Sequence, residues 1–136
     1  MTTTVTQALT NLDKHRILAD LWTVPGLGEH LANVEVSGYD RASAQVASRG
    51  DRTRVAALQV AASLLDGVTF EIHDYQDYTA LYVLGAYRGV ATLFYAGFHE
   101  EESRRLLTTT PAEHVLATLA VQVRGRMEDD IQGGGA

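Results

Sequence analysis

Cysteine is absent from this 136-residue chain, proline occurs twice, and Lys14 is the single lysine among eleven basic residues. Without cysteine there is no disulfide framework, no thiolate metal site and no cysteine nucleophile, and a reducing cytoplasmic setting is the plain expectation. Long apolar runs are missing too. None approaches the roughly 18 residues a membrane span requires, and the opening Met1-Thr2-Thr3-Thr4-Val5-Thr6 lacks the basic and apolar regions of a signal peptide. Positive charge is scarce overall, with 11 basic against 17 acidic residues and a formal charge of −6. That balance argues against nucleic-acid binding, whose affinity comes from basic groups displacing counterions along the phosphates.

Nucleotide and nucleophile motifs are absent as well. There is no Gly-x-Ser-x-Gly elbow, no phosphate loop ending in Gly-Lys-Ser/Thr and no Gly-x-Gly-x-x-Gly fingerprint; Gly26-Leu27-Gly28 follows a helix and Pro25, the wrong context for a dinucleotide turn. No motif is specific enough to name a family, no metal or cofactor is implied, and no residue is assigned a catalytic role. An enzymatic role is therefore not favoured.

What is present is a chain 46% hydrophobic and 21% charged, long enough to bury roughly two thirds of its unfolded surface as one domain. Low complexity is confined to the ends, so residues 5–127 read as a single domain, with a flexible stretch at 1–4 and a disordered acidic and glycine-rich tail at 128–136. Helical periodicity covers about 5–22, where Val5, Ala8, Leu9 and Leu12 share one stripe while Ile17, Leu18, Leu21 and Trp22 point elsewhere. Either this helix is apolar on two sides or it breaks near Asp13-Lys14-His15-Arg16. Alternation at 33–38 and 43–48 around Tyr39-Asp40-Arg41 predicts a hairpin with one wet face. Asp51 is placed to cap a helix over about 52–65, and a strand follows at 68–74.

Residues 79–97 differ from the rest. Two runs flank Tyr87-Arg88-Gly89, and neither has a polar side: Leu81 and Val83 lie opposite Tyr82, Leu84 and Ala86, and Val90, Thr92 and Phe94 lie opposite Ala91, Leu93 and Tyr95. A hairpin apolar on both faces needs a layer on each, from helices of the same chain or from another copy. After it, Glu100–Leu107 reads as a short helix with Glu100–Arg104 and Glu101–Arg105 pairs, and Thr110-Pro111-Ala112-Glu113 as a capping box opening a helix to about 127. The order helix-β-β-helix-β-β-β-helix-helix predicts an α+β domain with a mainly antiparallel sheet of about five strands. The helices beginning near 52 and 111 are expected on one face. The N-terminal helix or a second subunit would cover the other.

Three functions follow from different classes. The favoured one is a small cytoplasmic association or regulatory protein, a homodimer in the first instance or the binder of a protein partner, with Tyr82, Leu84, Leu93 and Tyr95 carrying the contact. Five of the six tyrosines fall between Tyr75 and Tyr95, and tyrosine joins a large apolar area to a polar tip. The second is a small-molecule-binding or metal-assisted enzyme domain whose polar site holds His73, Asp77 and His99, which an antiparallel hairpin brings to one end of the sheet. The third is an anion or nucleic-acid binder using Arg49, Arg52 and Arg54 at a helix start. The tripeptide Arg49-Gly50-Asp51 recurs by chance too often to count.

Overall fold

The computed structural model describes residues 11–36, 41–47 and 50–123. The expectations for 1–4, for the hairpin turn near Tyr39 and for 128–136 fall outside them. The described chain is an α+β domain: α1 (Asn11–Ala19), β1 (Leu31–Val36), β2 (Arg41–Val46), α2 (Asp51–Leu64), β3 (Asp66–Asp74), β4 (Thr79–Tyr87), β5 (Val90–Phe98), α3 (Glu101–Thr109) and a last helix, α4, over 115–123. None of the described helices is long and apolar enough to cross a membrane.

The five strands form one sheet in the order β1-β2-β5-β4-β3. Three pairings are antiparallel, and β2 with β5 is parallel. The parallel pair is a consequence of topology. Helix α2 carries the chain from β2 to the far edge, and the meander β3-β4-β5 then works back until β5 lies beside β2. A tight two-residue turn makes the central hairpin possible: Arg88 and Gly89 both have positive φ, 50° and 83°, the backbone that matches the twist of paired strands. Arg88 is also ion-paired with Asp20 in the 3-10 turn Asp20–Thr23, tying the hairpin tip to the N-terminal segment.

All the helices contribute to one core. Val55, Leu58 and Ala61 of α2, Leu107 of α3, and Val115 and Leu119 of α4 pack with Ala42, Ala44, Leu81, Val83, Phe94 and Phe98 from one face of the sheet. Each large side chain sealed there contributes about 1.5–3 kcal/mol relative to leaving it in water. Leu18 and Leu21 belong to the same cluster. The N-terminal segment therefore joins the helix layer instead of covering the other face, and its regular helix ends at Ala19 in a 3-10 turn, not near Asp13–Arg16.

Three local expectations are corrected. Asp51 is the first residue of α2 with Gly50 at the cap position, and its carboxylate is buried, accepting from Ser103 Oγ at 2.5 Å. Glu100 and Glu101 are not the partners of the α3 arginines: Arg104 pairs with Asp74 at 3.2 Å and Arg105 with Glu102 at 3.9 Å. The turn Ala112–His114 is 3-10, its cap position is Pro111, and it has no side-chain cap bond, so Thr110 closes no capping box.

Candidate functional site

The face of the sheet turned away from the helices is the region with no covering layer among the described residues. Strand alternation decides which side chains stand on it. Register pairs Tyr82 with Tyr95, Leu84 with Leu93 and Ala86 with Ala91, so these six form an uncharged block on the two central strands. Tyr82, Leu84, Leu93 and Tyr95 are half-buried and stand outside the core cluster. The remaining shielding comes from one another. Polar residues flank the block: Ser43 and Gln45 from β2 on one side, Thr69, Glu71 and His73 from β3 on the other. Tyr87, by contrast, is buried on the helix side, beneath the Arg88 guanidinium at 5.5 Å from its ring centre.

At one end of the open face the block gives way to a hollow of about 430 Å³. Its origin is a row of minimal side chains. Ala80 on β4 pairs with Gly97 on β5, and Ala47, the residue just past the end of β2, also lines the hollow. Aromatic rings stand on either side of this floor. Tyr82 and Tyr95 are 5.8 Å apart, Tyr78 and His99 5.6 Å apart. The Tyr78 ring leans over Gly97 so closely that a Cβ there would come within 3.1 Å of it. The series continues around the edge through Tyr75, 4.9 Å from Tyr78, and His73, which meets Tyr82 edge-on at 4.6 Å.

Electrostatics within this cluster favour the neutral form of Tyr82. The Tyr82 hydroxyl is pushed up to about 12, first by its hydrogen bond to Tyr75 and then by burial and the neighbouring tyrosines. Arg54 reaches the hollow from the first turn of α2 and bonds through Nη1 to the buried Asp51 at 3.2 Å. No carboxylate among the described residues lines the hollow.

The turn joining β3 to β4 is held by one arginine. Arg104 donates to Asp74 Oδ1, Thr79 Oγ1 and the carbonyls of Tyr75 and Gln76. Thr79 Oγ1 donates in turn to Asp74 at 2.7 Å. These bonds, Thr79 first and Arg104 second, hold the exposed Asp74 carboxyl below its ordinary 3.8. Arg104 thereby positions Tyr75 and Tyr78. A neighbouring cleft of about 610 Å³ is lined by Asp74, His99, Glu101, Glu102, Arg104 and Arg105, and both of its arginines are ion-paired within it, Arg104 with Asp74 and Arg105 with Glu102.

His73 and His99 do come to the same end of the sheet, as an antiparallel hairpin requires, but each lies against a tyrosine ring. Asp77 is exposed in the turn between them. Among the described residues no group of three or more His, Asp or Glu side chains is placed to hold a metal ion. Of the three arginines considered for an anion site, Arg49 lies outside the described residues. Arg52 lines a small cleft against α4, whereas Arg54 faces the aromatic hollow, so these two do not form one patch.

Tyr78 stood out in sequence only as one of five clustered tyrosines, and no motif marks the Gly97–Ala80 floor as a site. A glycine inside the apolar run of β5 was the available signal, since glycine in a strand marks close approach by something else. No protein-family model, curated protein or solved structure matches this chain.

Proposed function

We propose that this chain is a cytoplasmic association protein whose open sheet face docks against a second copy of itself. The observation that supports this reading is the uncharged block Tyr82, Leu84, Ala86, Ala91, Leu93 and Tyr95, which no described element covers. A contiguous apolar patch of several hundred Å² is the usual mark of an interaction surface.

Size and charge favour a second copy as the occupant. Three nine-residue strands and the six-residue β2, at about 4.8 Å spacing and about 3.3 Å per residue, span roughly 520 Å², or about 1,000 Å² for a symmetric pair, the least that a specific interface buries. The two central strands put no charged side chain on this face, so two chains of net charge −6 can approach there without repulsion at the centre. Aligned sheet-on-sheet packing at about 10 Å would interdigitate the tyrosines and leucines.

Light-scattering mass measurement tests the reading. The wild-type chain is expected at a mass of two chains, and Leu84→Asp or Leu93→Asp at one chain, 14.8 kDa, with an unchanged far-ultraviolet circular dichroism spectrum. A monomeric wild type rules out self-association. A monomer captured stoichiometrically by another protein through the same leucines would assign the face to that partner.

A further inference from the structure

The hollow beyond the Tyr82–Tyr95 pair has features that an association surface does not require. A flat docking face works best with side chains that fill it, yet here the paired Ala80 and Gly97 of two neighbouring strands, with Ala47 beside them, leave a hollow walled by rings on both sides. Its volume, about 430 Å³, lies in the range of small-molecule sites. We propose that this hollow binds a planar aromatic ring carrying a carboxylate or phosphate group, the ring between the Tyr82–Tyr95 pair and the Tyr78–His99 pair and the anion toward Arg54.

The aromatic part follows from the walls. Tyr82 and Tyr95 on one side and Tyr78 and His99 on the other offer ring faces and edges at stacking separations, and Gly97 lets the Tyr78 ring settle against the backbone as a wall of the hollow. Stacking against such platforms discriminates a flat ring from an aliphatic one of equal size.

The anionic part follows from the charges. A chain of net charge −6 places Arg54 and His99 in this hollow and, among the described residues, no carboxylate. Arg54 is bonded to Asp51, but the pair is oriented: Asp51 is 4% exposed and lies inside, while the guanidinium is 21% exposed and forms the outer end. Only its Nη1 is engaged among the described residues, which leaves further N–H donors in a planar fork suited to carboxylate or phosphate. The start of α2 adds its partial positive charge at the same end. Gln45 supplies an amide on the same rim.

The test is a titration of the isotope-labelled protein followed by nuclear magnetic resonance, with the Gly97 amide as reporter. Indole-3-carboxylate and phenyl phosphate are the probes; indole-3-carboxamide, cyclohexanecarboxylate and inorganic phosphate are the controls. Saturable shifts centred on Gly97 and Tyr78 are expected with the two probes, and binding at least about tenfold weaker with each control. Comparing the two probes decides between carboxylate and phosphate. Gly97→Val, which fills the floor, is expected to remove the shifts, and Tyr78→Ala, which takes away a wall, to weaken binding about tenfold. Carboxamide binding equal to carboxylate, cyclohexane binding equal to indole, shifts scattered away from Gly97, or variants that bind as well as wild type would each overturn the proposal. The same titration on Leu84→Asp separates this site from the association reading, because Leu84 lies outside the hollow.

Discussion

Phe94 and Leu93 are neighbours on β5, and the contrast between them is the contrast between the two faces of the sheet. Phe94 points to the helices and is fully buried with Val83, Leu81 and Phe98. Leu93 points the other way, opposite Leu84, and remains half-exposed. One face is sealed by four helices that the same chain supplies. The other is equally free of charge at its centre, and no described element covers it. Hydrophobic side chains on the first face hold the fold together, and those on the second are the ones the proposed association would use.

The largest expected effect lies on the sealed face. Phe94→Ala should cost about 3–5 kcal/mol in urea denaturation, because the helices cannot collapse into the cavity, whereas Leu93→Ala in the isolated monomer should cost under about 1 kcal/mol. Equal losses would erase the distinction between the faces. Two glycines sharpen it further. A Cβ on Gly85 would come within 2.8 Å of Leu65 Cβ and 2.9 Å of the Asp66 carbonyl oxygen, so Gly85→Val should destabilise by about 1–3 kcal/mol. The corresponding atom on Gly97 meets only the exposed Tyr78 ring, and Gly97→Val should change stability by at most about 1 kcal/mol. Thermal and urea midpoints of the two variants, measured side by side, check the pair.

A smaller effect concerns the tyrosines of the open face. Ultraviolet titration at alkaline pH should show one phenol, Tyr82, ionising near pH 12, later than the others, and Tyr75→Phe should bring it down. Folding holds this proton, so its stabilising contribution is complete below the ordinary tyrosine value of 10 and is lost as pH rises through 12. Smallest is the acid end. The clamp of Asp74 by Thr79 and Arg104 is present above the ordinary value of 3.8 and lost as pH falls below it. Chemical shifts in the turn around Tyr75 and Tyr78 should therefore move in acid before the sealed core does, and Asp74→Asn should abolish that early step.

Much of this arrangement was legible from residue patterns. Period-two alternation marked the strands, Arg88-Gly89 marked the central turn, and the lack of a polar side in 79–97 showed that both faces of the hairpin differ from an ordinary wet sheet. Pairs dictated by a side chain's distant environment were not legible. Arg104 has Glu100 four residues before it, yet its bonds go to Asp74 and to the turn after β3, where an arginine finds two carbonyls, a hydroxyl and a carboxylate together. Local spacing measures reach along one helix and cannot weigh it against partners 25 to 30 residues away.

The sequence by itself determined the elements, their order and which residues alternate together, because these depend on backbone period and on neighbours within a few positions. Only the tertiary structure decided that β5 returns to lie parallel beside β2, that Leu18 and Leu21 join the helix layer, and that Gly97 pairs with Ala80 next to Ala47 to make a hollow. Those facts depend on strand order and register, which are set when distant segments compete to bury the same apolar surface.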